Sequence, residues 1–377
     1  MGYFLQNLVG VQLNHFACGG VGLAVSMSHL LGDSCTLGSF VNHWASVARY
    51  GSTDHKEVLP LNPHFIDVPR RNSLLSEVPV IDQPTTKSCT LSTHLMRKFV
   101  FPNSKLNDLK NAVASATNDI LTLVEVLTSL LYKTSVVAAT VNSGCFKPSY
   151  LFLQADMRKR LAEKLPQTAV GNIVSLMMVP TTHASETSLS TLVGEIKKKK
   201  SQLEEVKIMK QASEIYKLVM SKLGNDQELE TLAKRSYTCS SLCGYPFNKV
   251  DFGWGFPMAT AIALRSAGPN GFVLMDTADR DGIQAHVTLE TQEMEIFQKD
   301  TELLSFCQIT CIILMFKSHY THTHTHIYIY IYVYIYIYIY IYIYIYESSH
   351  KILARCSVGT LQTSNGLVQT LCDLLTI

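Results

Sequence analysis

Val9, Val11 and Leu13 alternate with small or polar residues, Cys18-Gly-Gly20 interrupts them, and Val21, Leu23, Val25 and Met27 alternate again. A period of two on either side of a glycine turn predicts an antiparallel hairpin, its second strand ending at Ser28-His29. From residue 37 the period changes. Leu37, Phe40, Val41, Trp44, Val47 and Ala48 recur at helical spacing, which predicts an amphipathic helix with Asp33 or Ser34 as its N-cap. His29 therefore stands at a strand-to-helix bend.

Residues 51–92 carry prolines at 60, 63, 69, 79 and 84 among Ser, Thr and Asp, the composition of a connection running over the surface. Beyond it the pattern predicts a strand from Thr93 to Phe101, a capped helix from Ser104 to Ala116, and a buried, nearly all-apolar helix from Asp119 to Ala139. A strand around Tyr150 to Ala155 and a long charged helix from about Glu186 to Leu223 follow. The run Lys197-Lys198-Lys199-Lys200 in that helix reads as a solvated face rather than a phosphate site.

The pattern breaks near residue 307. Thr321-His-Thr-His-Thr-His326 leads into Ile327 to Tyr346, which contains only Ile, Tyr and one Val, and eleven of the 18 tyrosines fall between 320 and 346. A CA dinucleotide repeat encodes Thr-His and a TA repeat encodes Ile-Tyr, so the segment reads as a translated repeat, foreign to the fold before it. Twenty such residues match a bilayer span, yet tyrosine at every second position would put hydroxyls at mid-membrane. The alternation is instead that of a long, uncharged β-former. His322, His324 and His326 would share a strand face and bind metal only weakly, so no metal site is expected.

Thirty-two lysines and arginines against 30 aspartates and glutamates leave a net charge of +2 in 377 residues, with no global field to gather nucleic acid or an anionic membrane. Neither is expected as a partner. The ten cysteines are scattered, without CxxC pairs, and read as reduced thiols. With no N-x-Ser/Thr acceptor and no basic region at the N-terminus, the chain reads as cytoplasmic.

Common catalytic signatures (GxSxG, HExxH, GxxxxGK[ST], and GxGxxG after a strand) do not occur. Two clusters remain. In His29-Leu-Leu-Gly-Asp33 an imidazole, with a reference pKa of about 6.5, could act as a general base, and the acid four residues later could orient it; on spacing alone the plainer reading is favoured, a histidine closing a strand and an aspartate capping a helix, since His-x-x-x-Asp is common by chance. Asp251-Phe252-Gly253-Trp254-Gly255, followed by Pro257, is a rigid aromatic turn whose glycines permit positive φ or close approach, and alone it indicates packing.

HxxxD followed by DFGWG, together with Phe16-Ala-Cys-Gly-Gly20, Gln154-Ala-Asp-Met-Arg158, Gly171-Asn172, Asp276-Thr and Asp281-Gly-Ile283 in that order, resembles the BAHD acyl-CoA-dependent acyltransferases of plants, from about residue 3 to Phe306. Within that family Phe-x-Cys-Gly-Gly and Ser34 look most like the vinorine synthase group. The resemblance implies an α/β protein of two chloramphenicol acetyltransferase-like domains with mixed sheets. It implies acyl transfer without a metal, the co-substrate being acetyl-CoA or another acyl-CoA and the acceptor a small alcohol of specialised metabolism, such as an alkaloid, terpenoid or benzenoid, by a monomer. His29 corresponds to the general base in a channel between the domains. Asp33 corresponds to the aspartate that points away from the reaction and pairs with an arginine, at the position of Arg158. Asp251 to Gly255 corresponds to the turn that shapes the coenzyme side. An inactive binding protein on the same fold is the competing class.

The same resemblance places residues 1–80 as the remnant of a first domain carrying HxxxD, 81–92 as a crossover linker, 93–306 as the second domain and 307–377 as a low-complexity tail. Because HxxxD stands so near the start, the first domain is expected to be incomplete, with strands at the edge of its sheet lacking partners.

Overall fold

The structure, a computed structural model, describes residues 8–16, 19–29, 31–52, 62–63, 94–117, 120–161, 165–203, 226–261, 270–310, 330–335, 338–344 and 354–356. The histidines of the Thr-His repeat, most of the connection 51–92 and residues 204–225 of the expected charged helix lie outside them.

The opening hairpin forms as the alternation dictates. β1 (Val9–His15) pairs antiparallel with β2 (Val21–Ser28), from Val9 opposite Met27 to His15 opposite Val21, around Gly19 at φ 89°. Helix α1 (Ser34–Tyr50) begins at Asp33, whose side chain accepts from the Thr36 amide, and stops at Gly51, which takes the left-handed conformation that glycine adopts without strain. Its apolar stripe, Leu37, Val41, Trp44 and Ala45, packs on Val21, Leu23, Val25 and Met27 of β2.

After the short β3 (Asn62–Pro63), a larger mixed sheet is built from β4 (His94–Pro102), β5 (Ser149–Asp156), β7 (Val174–Thr181), β8 (Ser236–Ser241), β10 (Gly271–Asp276), β11 (Gly282–Glu290) and β12 (Gln308–Thr310). Their order across the sheet is β12-β4-β11-β10-β8-β5-β7, with β8 parallel to both β10 and β5. Two-residue β6 (Ala169–Val170) pairs with β3. One face of the large sheet is covered by α2 (Asn103–Thr117), α3 (Leu123–Ser143), α4 (Leu189–Ser201), α6 (Thr291–Phe297) and α7 (Thr301–Phe306), while α5 (Asp226–Lys234) precedes β8. Helix α3 starts at Leu123 rather than at Asp119, because Thr122 and Glu125 form a reciprocal capping box there. As its composition requires, α3 runs through the core, with Val126, Leu127, Leu130, Leu131 and Tyr132 fully buried. Helix α4 ends by Gln202; within its lysine run, Lys198 pairs with Glu195 at the surface, and Lys200 reaches the buried Glu125 carboxylate at 2.7 Å.

β10 joins the two halves. Phe272 and Leu274 point to the helical core, while Val273 and Met275, one residue out of phase, pack with β2 and α1. The first sheet has the order β15-β1-β2-β14-β13-β9, where β9 is Ala259–Ala261, β13 Tyr330–Ile335, β14 Tyr338–Tyr344 and β15 Ala354–Cys356. This corrects one expectation: β2 does not lack an outer partner, since β14 pairs with it from Tyr338 opposite Ser28 to Tyr344 opposite Gly22. A row of free strand N–H and C=O groups takes up whatever β-former reaches it, and the Ile/Tyr segment is one.

Candidate active site

His29 follows directly on β2, in a turn closed by the Leu31 amide on the Ser28 carbonyl at 2.9 Å. The imidazole is half-buried. Its Nδ1 lies 3.0 Å from Oδ1 of Asn172, and Nδ2 of Asn172 donates to the His29 backbone carbonyl. Nε2 has no protein partner among the described residues.

Asp33 is buried in a dense polar knot. Oδ1 caps α1 through the Thr36 amide at 3.0 Å and hydroxyl at 3.1 Å, and Oδ2 accepts from the Ile173 amide at 3.0 Å. Arg158, with 0% exposure, grips the carboxylate with two parallel bonds, Nη1 to Oδ2 at 2.8 Å and Nη2 to Oδ1 at 2.9 Å. Its other bonds go to Asp156, to the Thr36 hydroxyl oxygen and to the carbonyls of Ala169 and Gly171. Burial opposes the guanidinium charge, but the bonds to Asp33 outweigh it and hold the group's pKa above its ordinary value. Beside this pair, burial pushes the Cys35 thiol up to about 12, with Arg158 opposing only in part.

Asp251 to Gly255 forms a separate structure. Oδ1 of Asp251 accepts the amides of Gly253 at 2.8 Å and Gly255 at 3.0 Å, both glycines standing near φ 100°. Oδ2 binds Nη1 of Arg49 at 2.5 Å. Trp254 stacks on Phe252, which meets Trp44 edge-on at 4.8 Å. Arg49 lies in the last turn of α1 and Asp33 caps its first, 16 residues apart, so the aromatic turn sits at the other end of the helix from His29, about 24 Å along the axis at 1.5 Å per residue.

The structure thus brings Asp33 and Arg158 together, places His29 on the same bend with its ring bonded to Asn172, and keeps Asp251, Phe252, Gly253, Trp254 and Gly255 apart. Asn172, noted in the sequence only as part of a Gly-Asn landmark, is the residue that meets the histidine. No local signal announces a contact across 143 positions. Two cavities of about 360 and 350 Å³ open around Arg235 and around Ile296, and His29 lines neither. Among the described residues no group of three His, Cys, Asp or Glu could hold a metal ion.

His29 is thus a half-buried imidazole with Nδ1 bonded to Asn172, on a bend braced by the buried Asp33–Arg158 pair. Residues 5–304 match the model of the Transferase family, and the chain belongs to that family, to which the BAHD acyltransferases belong. It is 32% identical over 309 residues to 17,18-epoxy-17-hydroxycur-19-ene N-malonyltransferase of Strychnos nux-vomica, covering 80% of this chain and 63% of that protein. It is also 34% identical over 306 residues to akuammiline synthase 1 of Alstonia scholaris, covering 81% and 69%. With deacetylvindoline O-acetyltransferase of Catharanthus roseus it shares 32% over 313 residues, 78% of this chain and 68% of that one. The chain spans a little under two thirds of the length of the first of these relatives. The crystal structure of vinorine synthase superposes with a TM-score of 0.61 at 22% identity, over 79% of this chain and 66% of that one. The crystal structure of F. graminearum TRI101 complexed with ethyl coenzyme A gives 0.58 at 16% identity, covering 80% and 69%. The fold is the α/β chloramphenicol acetyltransferase-like one with mixed sheets.

Proposed function

We propose that the chain transfers an acyl group, acetyl in the first instance, from acyl-CoA to a hydroxyl of a small plant metabolite, with His29 as general base. The observation that carries this reading is the free Nε2 of a half-exposed His29 whose Nδ1 is engaged by Asn172. Nε2 takes the proton of the acceptor hydroxyl as that oxygen attacks the thioester carbonyl. The carbon–sulfur bond then breaks, and the departing thiolate takes up the proton. No covalent enzyme intermediate is needed, in keeping with a Cys35 thiol that stays protonated.

The names of the relatives support acyl chemistry on alkaloid acceptors, through an N-malonyltransferase and an O-acetyltransferase. An apolar acceptor also suits the surface beside the base: β7 begins two residues after Asn172, and its Val174 and Leu176 are each 40% exposed, on the face turned away from the helical core. Asp251 to Gly255, at the far end of α1, serves the coenzyme side by fixing that helix through Arg49 and Trp44. The protein works in this reading as a cytoplasmic monomer. The test is thiol release from acetyl-CoA with a panel of alkaloid, terpenoid and benzenoid alcohols, compared between the parent chain and His29→Ala.

A further inference from the structure

At the end of the large sheet opposite the histidine bend, we propose a binding site for a small oxyanion of the phosphate or sulfate type, formed by Arg235, Lys147 and Lys234 around the cavity of about 360 Å³. Strand β5 runs from Ser149, two residues after Lys147, to Asp156, which bonds Arg158 beneath that bend. Its eight residues span about 23 Å at 3.3 Å per residue, so the site is remote from His29 and independent of the role given to it. Ser143 ends α3, Lys234 ends α5, Glu290 ends β11 and Glu293 lies in the first turn of α6; these ends meet around the cavity. Its volume is at the lower end of ligand pockets and suits a small molecule.

Two side chains of the lining are deeply buried and carry unpartnered polar atoms. Arg235 is 5% exposed, and its Nη2 donates to the Ala139 carbonyl at 3.2 Å and the Ser143 hydroxyl at 2.8 Å, which pins the guanidinium at the carbonyl end of α3; Nη1 has no hydrogen-bond partner. Glu293, also 5% exposed, has an unpartnered Oε2, so the two groups line one cavity without bonding each other through these atoms. A buried guanidinium bonded on one arm alone is unfavourable, and a charged acceptor in the cavity relieves it. Charge sets the sign of that ligand. Arg235, Lys147 and Lys234 stand against Glu290, and against Glu293 only when that acid is ionised. Facing Glu293 are Arg235, Lys234, Glu290 and the phenol of Tyr237, and burial holds its carboxyl up to about 7. With its proton on, three positive charges against one negative leave +2, the complement of a dianion, and the carboxylic O–H becomes a further donor.

The test titrates sulfate, a dianion throughout the range used, into the full chain at pH 6 and pH 8 by calorimetry, with coenzyme A present in excess so that any site for the coenzyme's own phosphates is already filled. One sulfate should bind per chain, about 10-fold more tightly at pH 6 than at pH 8, the ratio for a site that holds a proton with a pKa of about 7. Arg235→Met should weaken binding at pH 6 about 10-fold or more, and Glu293→Gln should make the affinity independent of pH. Lys147→Glu, at an exposed position, reverses one charge of the lining and should weaken binding about 10-fold; it decides the matter if Arg235→Met does not fold. Inorganic phosphate and glycerol 3-phosphate, compared at pH 8, distinguish a free ion from a phosphate monoester as the ligand, by which of them binds more tightly. Absence of sulfate binding at pH 6, as in a cavity that takes only water, or binding unaltered by Lys147→Glu, overturns the site. An undiminished pH dependence in Glu293→Gln overturns the part given to its proton.

Discussion

Replacing Arg158 by methionine removes one half of the most buried charge pair in the described structure. Arg158 is wholly inaccessible and Asp33 is 3% exposed, so neither charge can turn to water when its partner goes. Asp33 would keep the Thr36 amide, the Thr36 hydroxyl and the Ile173 amide but lose two charge-assisted bonds, and the carbonyls of Ala169 and Gly171 would lose donors. A buried carboxylate stripped of its cation costs about 3–5 kcal/mol. Asp33→Asn removes the other charge while leaving an acceptor for the helix cap. The double variant should therefore be less destabilised than the sum of the single ones by about 1–3 kcal/mol. Urea unfolding followed by circular dichroism reads all three, provided the slopes agree. A loss below about 1 kcal/mol in Arg158→Met, or strict additivity in the double variant, would refute the reasoning.

Two further groups make stability depend on pH in opposite directions. His286 is wholly buried on β11 with neither ring nitrogen bonded, and burial, aided by Lys98, lowers its pKa from 6.5 to about 3. The unfolded chain takes up a proton there that the folded one refuses, so stability present above pH 6.5 is lost as pH falls toward 3. In His286→Leu, acid unfolding should begin at lower pH, with up to roughly 5 kcal/mol of the acid-side loss removed. A parallel pH–stability curve in the two proteins would exclude this. Glu293 is 5% exposed, and burial raises its pKa from 4.5 to about 7, with Arg235 opposing. Here the folded state holds the extra proton, so stability is greatest below pH 4.5 and declines as pH rises through 7. Glu293→Gln should flatten that decline, by roughly 3 kcal/mol at pH 8; denaturation midpoints at pH 5 and pH 8 decide it.

What the sequence makes legible is what short spacing controls. The hairpin, the Asp33 cap and the apolar stripe of α1 depend on residues within a turn or two of one another, and each stands where the periodicity puts it. The start of α3 is set by a capping box whose two members lie among several polar residues that could equally begin a helix. Long-range order is less accessible. That β10 lies between β11 and β8, and serves both cores through alternate side chains, follows from crossovers that no local pattern encodes. The partnership of Asp33 with Arg158, 125 positions apart, comes from a family likeness, and the register of β14 on β2 from nothing in the chain but an unpaired edge and a long alternation. His29 is legible as a candidate; its tie to Asn172 is not, since a Gly-Asn pair before a strand also reads as a turn.

A proton leaving an alcohol for Nε2 of His29 is the step on which the account rests, and free thiol appearing from acetyl-CoA in the presence of an accepted alcohol reports it. The account predicts that His29→Ala, folded as judged by circular dichroism, releases thiol about 100- to 10,000-fold more slowly than the parent chain at saturating coenzyme. Undiminished release by the alanine variant would contradict it.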